Sequence, residues 1–257
     1  QTMLDPADCG PACISLCQDI QGQTFDYPEE FFKERIHSIR RPRPDDFQIK
    51  EAAEKIKKSK NPIIISGGGV FYSNAMEELS NFATKHNIPV TQTVMGYSTM
   101  KRDHSHYAGQ IGGLGGKNTN DLAKETDLAI AVGTKLADFT TGSWANFENE
   151  KFKLVSINVS RFDANKHLAQ AVVGDAKVSL IELSKALGDW KVGDEWNEKS
   201  QRELKIWNAH IDKESAPTNQ EVPSYVQVIG AIYRNSEPTD IAVTAAGGLV
   251  GEVVQVW

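Results

Sequence analysis

The run Asn61-Pro62-Ile63-Ile64-Ile65-Ser66-Gly67-Gly68-Gly69 restricts the fold more than any other stretch of this chain. Three successive isoleucines with no polar alternation suit a strand covered on both faces, which is the habit of parallel sheets flanked by helices. Gly67, Gly68 and Gly69 then allow a sharp turn, and Ser73 or Asn74 stands where it can cap a following helix over residues 74–86. The unit repeats downstream. That repetition predicts an α/β fold, a three-layer α/β/α Rossmann-like parallel sheet.

Four further apolar runs, at residues 88–94, 128–132, 154–159 and 171–173, bring the expected strand number to five. A helix over 48–60 buries Ile49, Ala52, Ala53 and Ile56 at helical spacing, and the helix over 74–86 buries Met76, Leu79, Phe82 and Ala83. Asn87 ends the second of these. Residues 96–116 read as one long loop holding His104-Ser105-His106 and a glycine-rich tract, after which Asn118 or Thr119 caps a helix over 120–125. Gly174-Asp175-Ala176 turns into a helix over 177–187.

The flanks read differently. Residues 10–16 form a strand, with Cys13 and Cys17 as small core residues, but one strand buries too little to fold alone. Residues 21–47 read as a solvated linker despite Arg35, Arg40, Arg41 and Arg43. Residues 191–223 hold an amphipathic connecting helix with Trp196 and Trp207. A helix over 224–234, a strand over 241–244 and a glycine turn over 245–252 then open another α/β unit. The expected division is 1–47 as the last strand of one domain plus linker, 48–188 as the central domain, 189–223 as a linker and 224–257 as the start of a third domain. Both ends read as interiors of a longer polypeptide.

Several function classes are disfavoured. A net charge of −6 with scattered basic residues argues against nucleic acid as a partner. No apolar run reaches the roughly 20 residues of a membrane span and no signal peptide opens the chain, so a cytoplasmic location is expected. Cys9, Cys13 and Cys17 are poor material for a disulfide framework or a metal site, and His104-x-His106 has no spaced third ligand. No metal ligand set and no catalytic residue is named by spacing.

A conventional NAD site is also disfavoured, because the first turn is Ser-Gly-Gly-Gly-Val-Phe and the second strand ends in Gln92-Thr93 without an acidic residue. Another nucleotide mode stays open. Gly67, Gly68, Gly69, Gly133, Thr134, Asn158 and Asp175 all fall at expected strand C-termini, where they could converge on ADP or FAD. The competing reading makes them packing and turn residues of a scaffold.

Leu4-Asp5-Pro6, Cys9-Gly10-Pro11-Ala12, Tyr27-Pro28-Glu29-Glu30-Phe31-Phe32, Ser66-Gly67-Gly68-Gly69-Val70 and above all Asp138-Phe139-Thr140-Thr141-Gly142-Ser143-Trp144 carry a resemblance over essentially the whole chain. It resembles the trihydroxycyclohexane-1,2-dione hydrolases, thiamine-diphosphate enzymes of inositol catabolism in the wider superfamily of acetolactate synthase. The resemblance implies three domains: a pyrimidine-binding domain, a central Rossmann-like domain and a diphosphate-binding domain. It implies C–C cleavage of a cyclic dione, a small-molecule substrate, to 5-deoxyglucuronate. Thiamine diphosphate and Mg2+ would serve the parent enzyme, a homodimer or homotetramer, with their main ligands outside this chain. Within it, Ala246, Gly247 and Gly248 match a region that approaches the cofactor, although Val250 stands where the family has proline. Asn158 replaces an acidic residue of flavin-binding relatives. Three readings follow: an inactive central fragment of that hydrolase, a nucleotide-binding regulatory module, or an oligomerisation scaffold.

Overall fold

The computed structural model describes residues 2–257. Its centre is a six-stranded sheet in the order β3-β2-β1-β4-β5-β6, every neighbouring pair parallel. The strands are β1 (Pro62–Ser66), β2 (Val90–Gln92), β3 (Tyr107–Gln110), β4 (Leu128–Val132), β5 (Lys153–Asn158) and β6 (Gln170–Val173). This is the doubly wound arrangement, and its order reverses beside β1. Ile64 lies opposite Val90 on one side and Ile130 on the other, and Ile63, Ile64 and Ile65 are completely buried.

The sixth strand corrects the long loop expected over residues 96–116. Tyr107 and Ala108 are buried, yet two apolar residues ahead of a glycine tract carry no readable alternation. Gly109 takes φ +110, and the pairing of β3 with β2 slips in register at that point. A Cβ at Gly109 would lie 2.7 Å from Thr119 Oγ1, so the bulge brings the strand against the next helix.

Helices α1 (Asp46–Lys57), α3 (Met76–His86) and α5 (Ala176–Leu187) pack together along one layer. Between β1 and α3 lies the short α2 (Gly68–Tyr72). The expected stripe of α1 is buried, as are Leu79, Phe82 and Ala83 of α3; Met76 is half-buried. Ser73 and Asn74 do not cap α3. Ala75 holds that position without a side-chain bond, and Asn74 takes φ 52 in the turn out of α2. Asn87 does end α3, in the left-handed conformation.

Helices α4 (Lys117–Glu125) and α6 (Asp194–Glu214) pack on each other and beside β3. Asn118 and Thr119 lie inside α4, whose first turn opens at Gly116. Instead of capping, both side chains donate to the Ala108 carbonyl at 3.0 Å and tie α4 to the new strand. The residues read as a connecting helix are α6, fastened to the central layers by Trp196 Nε1 donating to Pro62 O at 2.8 Å and by Gln201 Nε2 donating to Tyr107 O at 2.8 Å. No described helix is long and apolar enough to cross a membrane.

Neither flanking strand forms. Residues 10–16 carry no ladder and are exposed from residue 11 onward, and the three cysteines are exposed rather than core. Residues 241–244 likewise lack strand pairing. On either side of them α7 (Tyr225–Arg234), opened by a Ser224–Gln227 capping box, packs on α8 (Val250–Val256).

Candidate functional site

Parallel strands deliver their loops to one edge, and the loops after β1 and β4 are neighbours where the strand order reverses. There the turns at Gly67, Gly68, Gly69, Gly133 and Thr134 meet. Gly69 N donates to Gly133 O at 2.9 Å. A Cβ added at Gly67 would lie 2.4 Å from Gly133 O, and one at Gly69 would lie 2.6 Å from Gly133 Cα. Gly68 faces Met95 O at 3.0 Å in the same sense. These glycines are demanded by backbone-to-backbone approach, and their open faces are filled by protein.

Asn158 closes the next position. Its Nδ2 donates to Thr134 O at 3.1 Å, and its Oδ1 accepts from Ser160 N at 2.9 Å. Both ends of the buried carboxamide are therefore engaged within the chain. Asp175 caps α5, accepting from Lys177 N at 3.0 Å and Val178 N at 3.3 Å, and pairs with Arg41 at 2.9 Å. Arg41 also donates to Ser73 O. Arg41 thus joins the β6 turn to the end of α2, and Arg43 reaches Glu182 at 2.9 Å. The arginines read as a solvated linker are in part structural ties. A carboxylate and a carbonyl are the partners that a guanidinium fork suits. Lys185 and Arg43 together hold the Glu182 carboxyl below its ordinary value.

Ala246, Gly247 and Gly248 are not part of this group. They are exposed, ahead of α8, with Gly247 at φ +145 and no atom within 4 Å of where its Cβ would be. The candidate residues thus fall in two places: a closed crevice at the sheet edge and an open turn on the C-terminal segment.

A buried polar network under the crevice was not visible in the sequence. Ser66 Oγ bonds Thr99 Oγ1, Gln92 Nε2 donates to Met100 O at 2.9 Å, and the Gln110 side-chain amide lies 3.1 Å from Gln92 Oε1. Polar residues ending three apolar strands were the available signal. Around the same edge large apolar side chains face outward: Phe71, Tyr72, Met95, Phe139 and Phe162. The Trp144 and His167 rings meet at a tilt, 4.1 Å between centres, and partial burial with Lys166 nearby lowers the His167 pKa. A cavity of about 630 Å³ lies beside the end of β2, walled by Tyr97, Met100, Lys101, Ile241, Val253 and Trp257 among others.

His104 and His106 do not form a metal pair. His106 is buried with Nε2 3.0 Å from Asn87 Oδ1, and burial, followed by His104, lowers its pKa. No cluster of three His, Cys, Asp or Glu side chains that could hold a metal ion exists among the described residues. The glycine backbones that a diphosphate needs are taken up by one another.

Comparison with known proteins gives these observations a frame. The family model for the thiamine pyrophosphate enzyme central domain matches residues 49–183. Over the whole chain, a 3D-(3,5/4)-trihydroxycyclohexane-1,2-dione hydrolase of Clostridium perfringens strain 13 is 35% identical. Proteins of the same name from Clostridium botulinum strain Alaska E43 and Bacillus velezensis are each 36% identical. In every case the chain spans 44% of the relative's length. The family model covers more than half of this chain and spans its parallel sheet, and the chain belongs to the thiamine pyrophosphate enzymes, with their central domain at residues 49–183.

Proposed function

We propose that this chain is the central scaffold of a hydrolase that opens trihydroxycyclohexane-1,2-dione at a C–C bond to give 5-deoxyglucuronate. Thiamine diphosphate and Mg2+ serve the whole enzyme in this reading, which assembles as a homodimer or homotetramer. One observation carries it: similarity at 35–36% that runs through all of the chain, flanks included, to proteins bearing that name. The crevice fits a scaffold role, since its glycines and Asn158 are satisfied by neighbouring turns. On this reading Ala246, Gly247 and Gly248 are the part of the chain nearest the cofactor, and this chain alone is inactive.

The test is an assay of the full-length protein, supplied with thiamine diphosphate and Mg2+, on 3D-(3,5/4)-trihydroxycyclohexane-1,2-dione. Consumption of the dione with release of a ring-opened acid is the expected result. Turnover of pyruvate with the dione untouched would move the protein to the acetolactate synthase type of reaction.

A further inference from the structure

The glycine-rich tract Gly112–Gly116 is a junction rather than a free loop. On one side it receives the 138–144 loop. Gly113 N donates to Phe139 O at 2.7 Å, and a Cβ at Gly112 would lie 2.1 Å from that same oxygen. Asn120 reinforces the contact: its Oδ1 accepts from Gly112 N at 2.9 Å and from Asn146 Nδ2 at 3.1 Å. On the other side the tract receives α6 and α8. A Cβ at Gly116 would lie 2.6 Å from Trp207 Nε1, and one at Gly251 3.5 Å from Leu114 Cδ2. Gln255 of α8 locks the arrangement: its Nε2 donates to Leu114 O and its Oε1 accepts from Trp207 Nε1, both at 2.7 Å. Its own carbonyl accepts from Arg102 Nη2 at 2.8 Å.

The far end of this chain of contacts is conformationally loaded. Gly142, Ser143 and Trp144 take φ 58, 52 and 71, a run of left-handed residues that only surrounding contacts can hold. Ser143 N and Trp144 N are held by Asp138 O and Thr141 Oγ1, and the tract grips the same loop just ahead of them at Phe139 and Thr140, where glycine leaves no side chain to absorb a displacement. A shift of Leu114 therefore passes to Phe139 as a backbone movement.

We propose that the Gly112–Gly116 tract couples the docking of α8 to the conformation of the 138–144 loop, with Gln255 as the positioning residue that sets the link. Release of Gln255 frees the α8 side of the tract and loosens the left-handed turn about Trp144. Because such coupling is reciprocal, loosening the turn also loosens α8. This inference goes beyond the proposed activity and does not depend on its substrate.

Hydrogen exchange of the full-length protein, read by mass spectrometry, tests it. Gln255→Met, which keeps length and loses both side-chain bonds, is expected to raise exchange about fivefold or more in 250–257 and also in 138–147. Gln255→Asn, which keeps the amide but shortens its reach, should do the same. Tyr233→Ala removes the ring packed 5.7 Å from Trp257 and loosens α8 from α7 with the Gln255 bonds intact, so it should leave 138–147 unchanged. In the reverse direction Asn146→Ala should raise exchange in 250–257. A response of 250–257 alone to the Gln255 variants would overturn the proposal, as would no response anywhere or an equal response of 138–147 to Tyr233→Ala.

Discussion

Ile63-Ile64-Ile65 and Ile241-Ala242-Val243-Thr244 carry nearly the same local message, a β-branched run that leads through glycines into a helix. They end in opposite places. The first is a central strand with a ladder on each side and no exposed surface. The second has no strand partner, with Ile241 87% and Val243 89% exposed. The contrast teaches that strand propensity is permission, and that neighbours on both edges and both faces convert it into stability.

Three pairs of variants and one pH series test that contrast, beginning with the largest effect. Ile64→Asp places an unpaired charge between two strands and should cost several kcal/mol, enough to abolish the cooperative melt. Val243→Asp should shift stability by less than about 0.5 kcal/mol. If Ile64→Asp melted with the wild type, the distinction between the two segments would collapse.

Gly133→Ala adds a Cβ at φ +61, 2.6 Å from Gly69 Cα, and is expected to cost about 1–3 kcal/mol in urea unfolding. Gly10→Ala meets nothing within 4 Å and should leave the midpoint in place. Asp175→Ala removes both a helix cap and the partner of Arg41, and about 1–2 kcal/mol should be lost. Asp5→Ala, whose carboxylate bonds exposed turn amides and Arg40, should not move the unfolding midpoint.

The smallest effect is in pH. His86 is completely buried, with Nδ1 2.7 Å from Trp190 O and Nε2 3.0 Å from Ser184 Oγ, and burial lowers its pKa; His106 is lowered for the same first reason. A group depressed in the fold binds its proton more readily in the unfolded chain. Its stabilising share is whole above the unfolded value near 6.5 and is lost as pH falls from there through the folded value. Each such histidine gives at most about 1.4 kcal/mol per pH unit across that window. Melting temperature against pH should fall on the acid side, and His86→Gln should flatten the fall. An unchanged slope in that variant would assign the acid sensitivity elsewhere.

The central domain was largely legible because its signals are local and agree with one another. Ile49, Ala52, Ala53 and Ile56 fall on one helix face whatever lies opposite, and Asp175 caps from its own turn. Strand β3 escaped because its two apolar residues, Tyr107 and Ala108, precede a glycine bulge, leaving too short a pattern. Among the candidate site residues, sequence reading placed Gly67, Gly133 and Asn158 correctly at strand ends, yet their partners are long-range. Whether a glycine faces an open space or another glycine 66 positions away is not written beside it. Arg41 looked solvated for the same reason, its carboxylate partner lying 134 residues downstream.

Periodicity, β-branching and glycine punctuation were enough, without coordinates, to establish an α/β domain and the ends of most of its strands, since these properties act over one to four residues. Tertiary structure decided which apolar runs became strands, which glycines were filled by their neighbours, and how Gln255, Leu114 and Phe139 came into line. Those outcomes depend on contacts between distant segments, which form only when the layers pack and bury them together.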